Sequence, residues 1–242
     1  MSKQPKGKGL FVTGTDTGVG KTIIAAGMVR LARKAGLSCV AIKPVETGCP
    51  LRSGVLYPED GALLVRASGG DINLDECAPI RLSIPASPAR AAAMEGSRIF
   101  LSELVEHALT VAERVDLLVV EGAGGLMVPI ENRLMMIDFI QRLGFPVLLV
   151  ARSRLGTINH TLLSVEALRQ RGIELKGIVI SCSDPTAGPE EELTVRDISV
   201  LANPIPVLML PHLSPEIVDD PDRISSAMEK AWPHEAVTRL LL

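Results

Sequence analysis

Short runs that are apolar at nearly every position recur along the chain: 10–13 (LFVT), 39–43 (CVAIK), 117–122 (LLVVEG), 147–151 (VLLVA), 178–181 (IVIS) and 207–210 (VLML). A strand with one solvated face alternates apolar and polar residues, whereas an unbroken apolar run is hidden on both faces, as in a parallel sheet. Between these runs, 23–35, 101–114, 161–171 and 190–201 read as helices. Strands alternating with helices predict an α/β fold, a doubly wound and mostly parallel sheet. Ligands of such sheets gather beyond the carboxyl ends of the strands, so the residues just after each run are where chemistry is expected. No internal repeat or low-complexity tract is present.

The first strand runs into GLFVTGTDTGVGKT, residues 9–22. Glycines without a Cβ let the N–H groups of Gly18, Val19 and Gly20 curl around phosphate oxygens. Lys21 then reaches the terminal phosphates of a nucleoside triphosphate, and Thr22 offers a hydroxyl to Mg²⁺. The helix opening there turns its positive end to the anion. Five residues separate Gly14 from Gly20, where the standard P-loop pattern has four.

Two more strand ends carry charge. Lys43 begins KPVETG, and beside a P-loop a second cation can neutralise charge on a transferring phosphoryl group. Glu121 follows four apolar residues and precedes Gly122, Ala123, Gly124 and Gly125, expected to form a flexible turn; the carboxylate resembles the acidic position of a Walker B strand. Asp60 and the neighbouring Glu59 are not separable by spacing, and a helix N-cap or first-turn acid is the better reading of either. The 155–160 segment (LGTINH) leads into a helix whose N–H groups can bind an anion. His160 reads as a packed or capping residue, and His107, His212 and His234 carry no metal or triad pattern.

At 242 residues, with no linker-like composition shift, the chain is expected to be a single domain spanning 1–242. A net charge of −3 and 2% aromatic residues leave neither a basic face nor stacking platforms for nucleic acid. Cys39, Cys49, Cys77 and Cys182 are scattered, as expected of free thiols in a reducing compartment. The start MSKQPKGKG lacks a signal peptide's apolar core, and no apolar stretch reaches membrane-spanning length, so a cytoplasmic protein is expected.

Taken together, GTDTGVGKT, KPVETG, VEGAGG and LGTINH resemble the dethiobiotin synthetase family, including its five-residue P-loop gap; Ser87-Pro88, Glu95-Gly96 and 210–213 (LPHL) extend the likeness over most of the chain. The resemblance implies that Mg-ATP, CO₂ and 7,8-diaminopelargonate give dethiobiotin, ADP and phosphate. It also implies that Lys21, Lys43 and Thr17 are catalytic, that Thr22, Asp60 and Glu121 hold Mg²⁺, and that Thr47 contacts the diamine. Gly122, Ala123 and Gly124 would line the ATP site with the P-loop, and the base would lie near Ser181, Cys182, Pro211, His212 and Leu213. Family members are homodimers, so Gly156, Thr157, Ile158 and Asn159 of a second copy would bind the acid tail.

Ser181 stands where an asparagine would pair with the adenine edge, so weaker base discrimination is expected. Gly18 stands where some members have glutamate. A regulatory ATPase of the partition or division-site kind is the rival reading. Those proteins typically carry a second lysine early in the P-loop, whereas Thr13–Thr17 contains none, and the short 235–242 segment is not expected to form a membrane-targeting amphipathic helix. An amidoligase or cobyrinate-type synthetase would need an ammonia source or a glutaminase domain, and a chain of this length is not expected to hold such a domain.

Overall fold

The computed structural model describes residues 9–182 and 189–241; the amino-terminal residues considered for a signal peptide lie mostly outside them. From the amino end, β1 (Gly9–Gly14), α1 (Lys21–Lys34) and β2 (Cys39–Ile42) are followed by β3 (Val45–Thr47), the hairpin β4 (Leu51–Arg52) and β5 (Val55–Leu56), and α2 (Glu59–Ala67). Next come α3 (Leu74–Cys77), β6 (Ile80–Leu82), α4 (Pro88–Met94), α5 (Leu101–Ala112) and β7 (Leu117–Gly125). The hairpin β8 (Pro129–Glu131) and β9 (Leu134–Met135) leads to α6 (Met136–Leu143), β10 (Val147–Arg152), α7 (Thr157–Gln170) and β11 (Leu175–Ser181). The chain continues through α8 (Pro189–Leu201), β12 (Val207–Leu210), α9 (Pro215–Val218), α10 (Pro221–Ala231) and α11 (His234–Leu241).

The six expected apolar runs form one six-stranded sheet in the order β12-β11-β10-β1-β7-β2. Every neighbouring pair in it is parallel. All of β1 is buried, as unbroken apolar patterning requires of a central strand. From β1 the chain passes outward to β2, returns to insert β7, and then builds β10, β11 and β12 on the other side. The winding therefore reverses at β1, and a crevice opens at the carboxyl end of that strand. The P-loop fills it.

Most boundaries differ from the sequence reading by one to three residues, and two of the differences bear on the site. Residues 121–125 continue β7 as strand instead of turning. The glycines permit this: a Cβ on Gly122 would come within 2.8 Å of the Phe11 ring, and one on Gly125 within 3.1 Å of the Gly14 carbonyl oxygen. The register slips between Val12 and Gly14, which lets β7 run on past β1. Helix α7 starts at Thr157, four residues earlier than expected, so the segment assigned to the acid tail is its amino terminus.

Several elements had no apolar run long enough to announce them. Helix α10 lies against α1, with Ile224 and Met228 beside Gly27, and is tied to it by the Arg30–Asp222 and Lys34–Glu229 ion pairs. Helix α6 buries Phe139, which meets Phe11 edge to face with centroids 5.5 Å apart. The pair β3 and β6 stands apart from the main sheet and supports the segment after Lys43.

Candidate active site

The P-loop takes its shape from its glycines and its neighbours. Gly18 and Gly20 have φ of +70° and +95°, a region that a side chain disfavours. Thr15 N–H donates to the Val150 carbonyl at 2.9 Å, which fixes the loop to β10. Asp16 accepts from Thr17 N–H at 2.7 Å and pairs with Arg152 at 2.5 Å. The Thr17 N–H bond holds its carboxyl below the usual range against a partial burial cost, with Arg152 adding to it. Lys21, first residue of α1, donates to the Asp16 carbonyl at 2.9 Å. Burial lowers its ammonium from the ordinary 10.5 to about 8.

Three elements converge beside this loop. Lys43 leaves β2 and donates to Glu121 Oε1 on β7 at 2.9 Å and also to Asp60 on α2. Thr22 donates to the same Glu121 oxygen at 2.9 Å. Lys43 and Glu121 are both buried. Burial opposes the charge on Lys43, but Glu121, Asp60 and Glu46 together outweigh it and raise the lysine above its ordinary value. Burial raises Glu121, with Lys43 pulling the other way. Asp60 ends below its ordinary value because its contacts with Lys43 prevail over burial.

These side chains face a cavity of about 740 Å³ lined by Thr17, Gly18, Gly20, Lys21, Thr22, Lys43, Thr47, Asp60, Glu121, Ala123 and Gly124 among others. Eleven residues singled out from sequence thus meet at one place. Of the two acids that spacing leaves unseparated, Asp60 lines the cavity and meets Lys43, whereas Glu59 points to Arg52.

Val19 turns into the core and Gly122 packs under Phe11, so both shape the site from behind. Ser181, Cys182 and the 211–213 segment lie together at the ends of β11 and β12, where Cys182 N–H donates to the Leu210 carbonyl at 2.9 Å. Ser181 joins that group to the P-loop: a Cβ on Gly20 would lie 2.9 Å from its hydroxyl. Gly156, Thr157, Ile158 and Asn159 are away from this cavity, at the start of α7. The sequence offered no signal for Pro85 and Ala86, which with Ser87 and Pro88 line the same cavity as Thr47, nor for Glu46 beneath Asp60. Ser87-Pro88 had been noticed only within the likeness.

Among the described residues no three His, Cys, Asp or Glu side chains cluster as a metal cage. Thr22, Asp60 and Glu121 offer instead a hydroxyl and two carboxylates, and Glu121 Oε2 is buried without a hydrogen-bond partner. An incomplete set of hard oxygens suits Mg²⁺, which keeps waters and phosphate oxygens in its shell.

A parallel α/β sheet with its phosphate loop at the winding reversal defines a P-loop nucleotide-binding protein. The septum site-determining protein MinD of Pyrococcus horikoshii, solved with Mg-ADP, has a similar fold, with a TM-score of 0.56 over 97% of this chain and 94% of that one at 13% identity. A family model described as an AAA domain matches residues 8–228. The ATP-dependent dethiobiotin synthetase BioD of Anaeromyxobacter dehalogenans is 45% identical over 84% of this chain and 90% of its own length. That of Thermodesulfovibrio yellowstonii is 39% identical over 96% and 99%. The chain belongs to the family of ATP-dependent dethiobiotin synthetases.

Proposed function

We propose that the chain, acting as one domain, carboxylates 7,8-diaminopelargonate and closes the product to the cyclic urea dethiobiotin, converting ATP to ADP and phosphate. The observation that carries this reading is the meeting of Lys21, Lys43, Thr22, Asp60 and Glu121 in one cavity at the end of β1. Family membership supplies the substrate.

The chemistry accounts for two lysines. One amine of the diamine takes up CO₂ as a carbamate, whose oxygen is a poor leaving group. Transfer of the γ-phosphoryl group to that oxygen gives a carbamic-phosphoric mixed anhydride. The neighbouring amine then attacks the carbonyl carbon, forming the second C–N bond as the C–O bond breaks and phosphate departs with the former carbamate oxygen. Lys21 and Lys43 hold the charge that gathers on the phosphoryl and carbamate oxygens, where a dry site strengthens them. Thr17 lies at the same wall, and Thr47 contacts the diamine.

Thr22, Asp60 and Glu121 would hold Mg²⁺, which when bound neutralises phosphate oxygens of ATP. Gly18, Val19, Gly20, Gly122, Ala123 and Gly124 shape the phosphate pocket. Ser181, Cys182, Pro211, His212 and Leu213 border the base. The enzyme works as a cytoplasmic homodimer, in which the start of α7 from a second copy receives the acid tail of the diamine.

Oxygen-labelled bicarbonate tests the sequence of steps. Label carried into the released phosphate is expected, because the phosphate leaves with a carbamate oxygen. Phosphate oxygens derived only from ATP and water would contradict the mixed anhydride.

A further inference from the structure

Glu46 is a charged residue that the chemistry above leaves unused, yet it is 5% exposed and sits directly under the site. It lies on β3, three residues after Lys43 and one before Thr47. Its two carboxylate oxygens are both engaged: one accepts from Asp60 N–H at 3.1 Å, the other from Gly61 N–H at 2.9 Å. These are consecutive donors in the first turn of α2, where helical N–H groups lack partners within the helix. Pro58, the residue before the helix, supplies no side-chain cap. Burial raises the Glu46 carboxyl above its ordinary value, and Lys43, the two N–H bonds and the positive end of the helix work against that cost. Gly61 also keeps the approach tight, since a Cβ at that position would lie 2.9 Å from Ala78.

We propose that Glu46 is a positioning residue of the phosphate site, gripping the first turn of α2 so that the Asp60 carboxylate stands beside Lys43 and Thr22. Asp60 is then held at two points: its backbone by Glu46 and its side chain by Lys43. Glu46 also adds its charge to the carboxylates that keep Lys43 protonated. Without the grip, the turn carrying Asp60 is free to rotate, and the oxygen donors facing Thr22 and Glu121 lose their fixed spacing. This inference rests on the reading that Asp60 holds Mg²⁺.

Calorimetric titration of the full chain with ADP, with and without Mg²⁺, separates the roles. Metal-free ADP binding reports the P-loop, and the gain on adding Mg²⁺ reports the oxygen donors. Asp60→Ala should abolish that gain. Glu46→Ala should reduce it about tenfold or more, the usual consequence of losing a partner that orients a metal ligand, while leaving metal-free ADP binding unchanged. Adding Glu46→Ala to Asp60→Ala should cost nothing further, because the first acts through the second. Glu46→Gln, with one carbonyl oxygen where two oxygens are used, should fall between.

A wild-type Mg²⁺ gain in Glu46→Ala, alongside its loss in Asp60→Ala, would overturn the positioning role. A wild-type gain in Asp60→Ala would overturn the metal assignment on which the role rests. If Glu46→Ala no longer binds metal-free ADP, Glu46→Gln decides by the same comparison.

Discussion

The Lys43 ammonium donates to Glu121 Oε1 across 2.9 Å and thereby ties the end of β2 to β7 with no solvent between them. Neither charge is stable alone in that position: each is buried and each is the other's main counterion. Thr22 shares the same oxygen, so the P-loop helix is joined to the pair. The arrangement keeps a cation at the wall of the cavity.

Lys43→Met should therefore act on both stability and turnover. Stranding Glu121 is expected to cost ~3–5 kcal/mol of unfolding free energy, the usual penalty of breaking a buried pair from one side. Turnover should fall by about 10²-fold or more, as for loss of a group that stabilises transition-state charge. Adding Glu121→Gln should restore much of the stability and none of the activity. Urea unfolding and steady-state rates of the two variants check this.

Gly20 and Gly18 both need positive φ, but they differ in the space around them. A Cβ on Gly20 meets the Ser181 hydroxyl at 2.9 Å, whereas one on Gly18 meets nothing within 4 Å. Gly20→Ala should weaken ATP binding more than Gly18→Ala, which carries backbone strain alone. Comparable losses in a nucleotide titration would contradict the role given to Ser181 as the wall behind the loop.

The main sheet was legible in the sequence because each of its strands is buried on both faces and so reads as an unbroken apolar run. The cavity residues were legible where they follow such a run: Lys43 after β2 and Lys21 after β1. Asp60 was not, because its place depends on α2 folding back against β3, a contact between residues 46 and 60 that no local pattern encodes. Glu46 was missed for the same reason. Helix α10 escaped notice because its apolar face fits the small surface around Gly27, a match visible only once α1 is in place. The extension of β7 through GAGG was misread as a turn, since glycines that signal flexibility in a chain also permit close strand packing.

If the base lies beside Ser181, as proposed, a single hydroxyl is too few groups to read an adenine edge in the two-bond manner of an amide. The rates with ATP, GTP and CTP should differ by less than about tenfold, and Ser181→Asn should widen the gap in favour of ATP by a factor set by one added hydrogen bond, about tenfold. A strict preference for ATP in the wild-type kinetics would contradict this.

Asp138 offers a test of stability far from the cavity. Its carboxylate accepts from Met135 N–H at 2.7 Å at the start of α6 and pairs with Arg171 at 2.9 Å. Although burial opposes them, these contacts hold its pKa below the ordinary 3.8. A carboxyl depressed in the folded state stabilises fully above the unfolded value, and the stabilisation is lost as pH falls through the folded one. Asp138→Ala should cost ~1 kcal/mol near neutrality, as removal of a helix cap does. The difference from wild type should shrink progressively below about pH 4. Equal differences at both pH values in urea unfolding would contradict the assignment.

The most direct test of the function is phosphate release from Mg-ATP and bicarbonate, measured with and without 7,8-diaminopelargonate while the cyclic urea is followed by mass. Phosphate and cyclic urea appearing in equal amounts, and only with the diamine present, is the expected result. Hydrolysis of ATP that is indifferent to the diamine and yields no cyclic urea would contradict it, and would place the chain with the regulatory ATPases whose fold it shares.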